Sequence, residues 1–303
     1  MSVTALISNI SRASLHDGPG IRTVVYFKGC TLHCRWCHNP ETIAKKNEIL
    51  YAAVKCIHCG RCVRICPENY LLSGNEMIFL RNNCYACGQC AEVCPSGAIT
   101  VSGRKMTVAE VMKELLKDIH YYRQNGGITL SGGECLLQPD FCLELLKACK
   151  VHDIHTAIET ALNVPWDHVE KVVSDCDLFF ADFKIPDTQK HKMYTGVGNG
   201  MILSNLKKLA ETDAKIIVRI PLIPGVNDSD GDIILFANAL GVMADRLSGI
   251  EVLRYNNLAE SKYIISGKRF AGFGEPQTDH QLVSFCNRLE AAIAKRTPVY
   301  CVL

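Results

Sequence analysis

The feature that most constrains this chain is the spacing of its cysteines. Of its 303 residues 17 are cysteine, and eight of these make two copies of the pattern C-x2-C-x2-C-x3-C-P. The first copy, at 56–67, reads CIHCGRCVRICP, and the second, at 84–95, reads CYACGQCAEVCP. Two similar segments at a fixed interval indicate a structural unit that occurs twice. The fold therefore has to hold these thiols in two equivalent groups.

The compartment expected for the protein decides what so many thiols do. The N-terminal residues MSVTALISNISRASLHDGPG lack the basic and apolar segments of a secretory signal, and no run of about 18 apolar residues marks a membrane span. We therefore expect a cytoplasmic protein, in which clustered thiols bind metal rather than form disulfides. Lys and Arg (33) barely outnumber Asp and Glu (31), so charge gives no drive toward nucleic acid.

The duplicated pattern has the spacing of bacterial two-cluster ferredoxins, in which the fourth cysteine of each motif binds the other cluster. It predicts two [4Fe–4S] clusters, one held by Cys56, Cys59, Cys62 and Cys94, and the other by Cys84, Cys87, Cys90 and Cys66. Pro67 and Pro95 close the two motifs. Paired CxxC motifs also bind zinc, which is the alternative interpretation.

A third set of cysteines supplies only three ligands. Cys30, Cys34 and Cys37 have the spacing C-x3-C-x2-C, whereas a closed four-iron cluster needs four protein ligands. In catalytic zinc sites a missing protein ligand marks the position where the substrate binds, and the same reasoning applies to an iron that no protein atom holds. His33 and His38 are the alternative candidates for a fourth ligand.

The triplet and its flanking sequence resemble a known superfamily. CxxxCxxC after a strand resembles the radical S-adenosylmethionine (SAM) enzymes, and residues 17–40, DGPGIRTVVYFKGCTLHCRWCHNP, resemble the activating enzymes of glycyl radical enzymes. A two-cluster ferredoxin insert after this loop is typical of one subgroup of those enzymes. The resemblance covers nearly the whole chain. It implies three [4Fe–4S] clusters, and SAM bound through its amino and carboxylate groups to the open iron of the third.

Hydrophobic patterns indicate strands that alternate with helices. Short apolar strands are predicted at 22–28, before the loop at 132, and at 154–159, 177–183, 215–221 and 249–254. Thr107 and Glu110 form a capping box that predicts the start of a helix. Cys142, Cys149 and Cys286 share faces with leucines and phenylalanine, which predicts a place in the core for each. Six such units favour an α/β fold with a parallel sheet.

The resemblance makes this fold more specific. It implies a radical SAM partial (β/α)6 barrel with an inserted bacterial-type 2[4Fe–4S] ferredoxin domain, and an active site at the carboxyl ends of the strands. We expect the first part of the barrel, with the cluster loop, at 1–46. The insert is expected at 47–104 and the remainder of the barrel at 105–303. An open barrel suits a substrate that is itself a protein segment.

A glycine-rich loop follows the second of these strands. Glycine lets a backbone approach a ligand closely, and Glu134 can accept hydrogen bonds from an ammonium group. The resemblance implies that Gly132, Gly133 and Glu134 bind the amino group of SAM. Relatives usually have proline after the glutamate, whereas this chain has Cys135, for which we expect a packing role. An ordinary strand-to-helix turn is the alternative.

The resemblance implies further SAM contacts at the ends of other strands. Lys184 is implied for the SAM carboxylate, Asp182 for the ribose or for partner docking, and Glu159 for a region where some relatives bind a monovalent cation. Asn256 stands where many relatives have a histidine. The expected cofactor-binding residues outside the glycine loop are Trp36, Cys37, His38, Glu159, Asp182, Phe183, Lys184, Arg219 and Asn256. Structural roles, such as an ion pair between 182 and 184, are the alternatives.

The resemblance also implies a reaction and its partners. The expected activase cleaves SAM reductively to a 5′-deoxyadenosyl radical, which takes a Cα hydrogen from a glycine of a partner glycyl radical enzyme. Electrons are expected from flavodoxin or ferredoxin through the insert; neither nucleic acid nor a membrane is expected as a partner. Two functions remain as alternatives: a radical SAM enzyme acting on a small molecule or peptide, and an iron–sulfur electron-transfer protein.

Overall fold

The computed structural model describes residues 3–66, 70–73, 76–79, 81, 84–123 and 125–302. Its strands are β1 (Thr4–Ser14), β2 (Arg22–Phe27), β3 (Glu48–Tyr51), β4 (Tyr70–Ser73), β5 (Glu76–Phe79), β6 (Ile99–Ser102), β7 (Arg104–Thr107), β8 (Gly127–Gly132), β9 (Thr156–Thr160), β10 (Leu178–Asp182), β11 (Ile216–Leu222), β12 (Gly249–Arg254) and β13 (Val299–Val302). Its helices are α1 (Arg61–Ile65), α2 (Gln89–Glu92), α3 (Val108–Leu115), α4 (Ile119–Tyr122), α5 (Pro139–Val151), α6 (Trp166–Val173), α7 (Thr188–Thr195), α8 (Gly200–Ala210), α9 (Asp230–Gly241), α10 (Glu260–Ser266) and α11 (Asp279–Ala292).

One sheet of nine strands forms the body of the structure, in the order β13-β12-β11-β10-β9-β8-β2-β1-β7. The strands from β13 to β2 are parallel, and β1 pairs antiparallel with both β2 and β7. All six predicted strands are present, as β2 and β8 to β12, which confirms the parallel α/β fold. Among the described residues the edge strands β7 and β13 do not pair with each other, so the sheet is an open partial barrel.

Three strands of this sheet, β1, β7 and β13, have no counterpart in the sequence-based prediction. β7 and β13 have four residues each, too few to show a period. β1 is longer, but only its first half buries one face, through Ala5 and Ile7. β1 and β7 extend the sheet beyond β2 and connect the barrel to the segment that follows the cysteine triplet.

Helices pack against the sheet and bury its core. The predicted start of α3 is confirmed, because the Glu110 amide donates to Thr107 Oγ1 at 3.2 Å and the Thr107 amide donates to Glu110 Oε2 at 2.7 Å. Cys142, Cys149 and Cys286 are buried in the core, as predicted. In the parts of the chain given above, no helix is long and apolar enough to cross a membrane.

The two cysteine motifs lie in a smaller unit beside the main sheet. There β3 pairs antiparallel with β6, and β4 with β5. The helices α1 and α2 occupy matching positions in the two motifs. A separate small core contains Ile49, Cys62, Ala86, Cys90 and Ile99. Pro67, at the end of the first motif, lies outside the described residues.

Polar contacts fasten this unit to the loop that carries the cysteine triplet. Lys28, buried at the end of β2, lies with its Nζ 2.8 Å from Glu48 Oε2 on β3. The same Nζ donates to the Glu41 carbonyl oxygen at 2.6 Å. Arg81 donates to the Ile265 carbonyl oxygen on α10 at 2.8 Å. The small unit therefore has a fixed place relative to the triplet loop.

Candidate active site

The cysteine triplet and the carboxyl ends of the parallel strands enclose one cavity of about 380 Å³. This volume lies within the range of small-molecule sites, which is about 300–1,000 Å³. The cavity brings together most of the residues expected to bind the cofactor. Those that line it are Cys30, Cys34, Trp36, Cys37, His38, Gly132, Gly133, Glu159, Asp182 and Lys184.

The three thiols of the triplet lie in a low-dielectric setting. Burial raises the pKa of Cys30 to about 12, and burial raises the pKa of Cys34 and of Cys37 as well. The Leu32 amide donates to Cys30 Sγ at 3.3 Å, and Lys184 favours the anionic form of the other two. Across the described ranges no three side chains converge on one metal ion. A cluster needs no such convergence, because each thiolate binds a different iron.

Gly132 and Gly133 have to be glycine because two chain segments pack closely at this loop. A Cβ on Gly132 would overlap the backbone of Phe27, and a Cβ on Gly133 would overlap the carbonyl oxygen of Gly29. Gly132 also has a φ of +112°, which side chains rarely tolerate. Hydrogen bonds join the segments, since the Gly133 amide donates to the Phe27 carbonyl at 3.0 Å and the Glu134 amide to the Gly29 carbonyl at 2.7 Å. The loop thereby fixes the position of Gly29, the residue before Cys30.

The side chain of Glu134 points away from the cavity. Its carboxylate accepts hydrogen bonds from Thr160 Oγ1 at 2.8 Å, from the Ala161 amide at 3.0 Å and from the Leu136 amide at 3.2 Å. Burial raises the pKa of this carboxyl group to about 7. Glu134 therefore holds the end of β9 against the loop, and its expected contact with an ammonium group stays a prediction.

Asp182 and Lys184 form an ion pair in the cavity wall, with Nζ and Oδ2 2.7 Å apart. Burial alone would lower the pKa of Lys184, but attraction from Asp182 and Cys34 outweighs it and raises that pKa. Burial raises the pKa of Asp182, against the attraction of Lys184. Lys184 is thus a partly buried permanent cation at the edge of the space beside the triplet.

Arg219 lies beneath the cavity rather than in its wall. Its guanidinium donates to Glu159 Oε1 at 2.9 Å and to Glu251 Oε2 at 2.8 Å, and it lies 3.6 Å from the centre of the Phe180 ring. Although burial would raise the pKa of Glu159, attraction from Arg219 outweighs it and lowers that pKa. Ser131 also donates to Glu159. Arg219 therefore keeps Glu159 charged at the cavity surface and has no place in the lining.

Two other expected residues lie outside the lining. Phe183 is buried in the core, where its ring packs edge-to-face against Phe236 at 5.6 Å. The amide oxygen of Asn256 accepts a hydrogen bond from the Leu258 backbone. The Asn256 carbonyl oxygen lies 2.8 Å from His38 Nε2 and so fixes that ring at the cavity edge.

Residues before β2 also reach the cavity, although they were not among the expected cofactor-binding residues. Asp17 lines it together with Tyr26 and Ser131, and burial raises the pKa of Asp17. The sequence signal that could have predicted this contact is the segment DGPGIR at 17–22, which resembles the activating enzymes. Its Arg22 is fully buried and donates to the Pro19 carbonyl oxygen at 3.1 Å, which draws the segment under the sheet.

A second cavity lies in the smaller unit, and cysteines from both motifs line it. Those four cysteines are Cys56, Cys59, Cys62 and Cys94. The two motifs also have matching backbones: His58 and Ala86 have φ of 54° and 56°, and Gly60 and Gly88 have φ of 68° and 91°. Residues in the left-handed conformation at matching positions bend each loop sharply. In the second motif the Ala86 amide donates a hydrogen bond to Cys84 Sγ at 3.3 Å.

Comparisons with known proteins establish the family. The radical SAM superfamily model matches residues 24–237. The chain is 39% identical over 299 residues to the choline trimethylamine-lyase activating enzyme of Oleidesulfovibrio alaskensis, with 96% of this chain and 95% of that one covered. It is 42% identical over 275 residues to the trans-4-hydroxy-L-proline dehydratase activating enzyme of Clostridioides difficile, with 88% and 89% covered.

A solved structure supports the fold. A radical SAM methyltransferase from Sphaerobacter thermophilus aligns over 93% of this chain and 66% of its own, with a TM-score of 0.55 and 14% identity. The sequence matches extend through both the barrel and the smaller unit. The chain belongs to the radical SAM superfamily and, within it, to the activating enzymes of glycyl radical enzymes.

Proposed function

We propose that this chain activates a partner glycyl radical enzyme by cleaving SAM reductively and removing a Cα hydrogen atom from one glycine of the partner. The observation that carries the proposal is the cavity in which an incomplete set of three thiols faces a glycine loop and a partly buried cation, Lys184. The relatives named above support the class of partner, because each is an activating enzyme by name. Glycine suits the reaction since its amide nitrogen and carbonyl group both stabilise a Cα radical.

The donor set suits a [4Fe–4S] cluster and SAM. Cys30, Cys34 and Cys37 would hold the cluster and leave one iron for SAM. When bound, the cluster and SAM supply the reductive cleavage that yields methionine and the hydrogen-abstracting 5′-deoxyadenosyl radical. Gly132 and Gly133 line the cavity, where their backbone would lie against the SAM amino group.

Charged side chains of the cavity would orient the rest of SAM. Lys184 would pair with the SAM carboxylate, and Asp182, its ion-pair partner, would accept hydrogen bonds from the ribose. Glu159, kept charged by Arg219, supplies oxygen atoms beside which a monovalent cation would bind. Trp36 would cover the adenine, since its ring lines the same space.

We infer that 47–104 is a ferredoxin-type insert with two further [4Fe–4S] clusters, three in all. Cys94 of the second motif lines one cavity with three cysteines of the first, as the crossed ligand pattern requires. The matching left-handed residues support the same assignment to a duplicated cluster-binding loop. Zinc remains the alternative for this unit.

The insert implies a one-electron donor. We propose flavodoxin or ferredoxin in this role, because the reaction consumes one low-potential electron for each SAM cleaved. Thiolates reserved for clusters require a reducing compartment, so the proposal includes the cytoplasm.

The experiment combines the anaerobically reconstituted protein with SAM, dithionite and candidate glycyl radical enzymes. Candidates are a choline trimethylamine-lyase and a trans-4-hydroxy-L-proline dehydratase, the partners named by two relatives. The expected result is an electron paramagnetic resonance signal of a glycyl radical with at least one candidate, and its loss with Cys34→Ala. A partner whose radical glycine is replaced by alanine is the matched control.

Each other outcome favours a different function. Cleavage of SAM without a glycyl radical signal in any candidate would support an enzyme that acts on a small molecule or peptide. Absence of SAM cleavage, in a protein that contains its clusters, would support an electron-transfer protein.

A further inference from the structure

The two cysteine motifs have the same backbone but different charges. Arg61 and Arg64 on α1 correspond, 28 positions on, to Gln89 and Glu92 on α2. The first motif therefore carries two positive charges where the second carries one negative charge. Since the two α-helices follow equivalent loops, this difference is a property of the side chains alone.

The positive charges lie next to the cysteine cavity described above. Arg61 lines both that cavity and a groove between α1 and α2, and Arg64 lines the same groove. Apolar side chains accompany them, because Ile57 is 62% exposed and Ile65 is 44% exposed. Together with the exposed Cys59, these residues form a surface that we call the first-motif face.

Among the described residues, no salt bridge neutralises the charge of this face. Neither Arg61 nor Arg64 forms a salt bridge in the described part of the structure, although fifteen such pairs occur elsewhere in it. Glu92, on α2, is the one acidic residue among the described residues that line the groove. A face that combines exposed apolar and unpaired arginine side chains has the composition of a protein interface.

Strand β6 shows where this face lies relative to the active site. Ile99, at the start of β6, lines the cysteine cavity of the smaller unit. Ser102, at its end, donates to the Glu41 carbonyl oxygen beside the cysteine triplet at 2.9 Å. Between them, Val101 Cγ2 lies 3.3 Å from the place of a Cβ on Gly88 in the second motif. Val101 is two residues further along the strand than Ile99, so this contact with the second motif lies about 7 Å nearer to the triplet loop than the point where Ile99 lines the cysteine cavity.

We propose, on the basis of the function proposed above, that the first-motif face docks an acidic protein that carries one electron. Arg61 and Arg64 attract its carboxylates, while Ile57 and Ile65 bury apolar area at the centre of the contact. One electron would leave the carrier, which is oxidised, and would reduce the cluster that Cys56, Cys59, Cys62 and Cys94 would hold; no proton or other group would move. The second motif then lies on the path from this face to the triplet.

The charges on the two sides of the groove favour such a carrier over a second copy of this chain. A second copy that met this groove with its own groove would bring the same two arginines, and among the described lining residues only Glu92 would supply a counter-charge. An acidic surface would pair with both arginines, and its rate of association would depend strongly on salt. Self-association is therefore the outcome that the experiment has to exclude.

The test uses the holoenzyme with an acidic flavodoxin, reduced beforehand, as the probe. Stopped-flow absorbance measures the rate of electron transfer at low and high salt for the wild type, for R61E/R64E and for K105E/K113E. The last variant makes the same charge change at exposed positions on β7 and α3. We expect R61E/R64E to lower the low-salt rate constant by about tenfold or more and to weaken its dependence on salt. K105E/K113E should have little effect.

A variant that is expected to accept electrons faster than the wild type distinguishes an effect on docking from misfolding. Glu92→Lys adds a third positive charge to the groove, and we expect it to raise the low-salt rate constant above that of the wild type. Iron and sulfide contents and dithionite-driven SAM cleavage should stay unchanged in all variants, because dithionite does not need a docking face. Loss of dithionite-driven cleavage in the wild type would count against the proposed function, not against docking.

Two results would overturn the docking proposal. The first is an unchanged rate of reduction of R61E/R64E by flavodoxin, and the second is an equal loss in K105E/K113E. Sedimentation of the wild type as a dimer that R61E/R64E dissociates would assign the face to self-association.

Discussion

Arg22 Nε donates to Thr129 Oγ1 at 2.7 Å, which joins the first residue of β2 to the middle of β8. The same Thr129 hydroxyl donates to the Asp17 carbonyl oxygen at 2.6 Å. One hydroxyl group thus connects the buried guanidinium with the segment that carries Asp17 into the cavity. The sheet and the segment before it are therefore held together by a polar contact inside the barrel rather than at its surface.

Thr129→Val removes this hydroxyl group while it keeps the shape of the side chain. Arg22 Nε and the Asp17 carbonyl oxygen then lose a partner in a buried place, which costs about 1–3 kcal/mol. We expect a lower midpoint of thermal unfolding and weaker SAM binding, because Asp17 is no longer fixed. Thr100→Val, at an exposed position of β6, is the control. An unfolding midpoint equal to that of the control would contradict the role of the hydroxyl group.

Lys184→Met is expected to weaken SAM binding by about tenfold to a hundredfold, because it removes a partly buried cation that would form a charge-assisted hydrogen bond with the SAM carboxylate. Equilibrium dialysis of the reconstituted protein with labelled SAM gives the affinity, and absorbance checks the clusters. The single variant also leaves Asp182 without its ion-pair partner. The double variant D182N/K184M therefore decides the cause: if it binds SAM like the wild type, Lys184 only neutralises Asp182, and the proposed contact is wrong.

Glu134 gives the protein a stability that depends on pH. Burial raises the pKa of its carboxyl group from 4.5 to about 7, so between these values the folded state binds one more proton than the unfolded state. The free energy of unfolding therefore falls as pH rises through this window, by up to about 3 kcal/mol, and the contribution is constant above it. Glu134→Gln lacks this titration.

The measurement compares the unfolding midpoints of the wild type and Glu134→Gln from pH 5 to pH 8, where the stated pKa lies inside the range. We expect the midpoint of the wild type to fall more steeply, because all other titrating groups are common to both proteins. Glu275→Gln, at an exposed position, should run parallel to the wild type. A constant offset between wild type and Glu134→Gln would show that the buried carboxyl group does not titrate in this range.

Gly133→Ala is expected to prevent the triplet from binding its cluster. The added methyl group would overlap the Gly29 carbonyl oxygen and push the loop away from Cys30. About four irons per chain should be missing, while the insert keeps its own. Gly200→Ala is the matched control, because no described atom outside its own helix turn and chain neighbours lies within 4 Å of the added carbon. Full iron content in Gly133→Ala would mean that the loop can shift without affecting the triplet.

Sequence patterns predicted the strands well because continuous apolar runs such as LFFA in β10 fit no exposed element. They predicted which residues stand at the strand ends, but not where each side chain points. Glu134 turns toward Thr160 because a residue 26 positions away offers a hydroxyl group. Arg219 lies beneath the cavity because Glu159 and Glu251 flank it on neighbouring strands. Such directions depend on partners that only the assembled sheet brings together.

The crossed ligand pattern of the insert can be tested through pairs of substitutions. Cys56 and Cys94 line the same cavity, although they belong to different motifs. If they bind one cluster, C56A and C94A each remove about four irons per chain, and the double variant removes no more than either alone. The pair C56A/C66A should remove about eight, because Cys66 belongs to the other cluster. Iron analysis and absorbance of proteins purified without oxygen give the counts. The opposite result is additive iron losses for C56A/C94A and non-additive iron losses for C56A/C66A. It would mean that each motif binds its own cluster and that the four cysteines lining the cavity do not bind one cluster together.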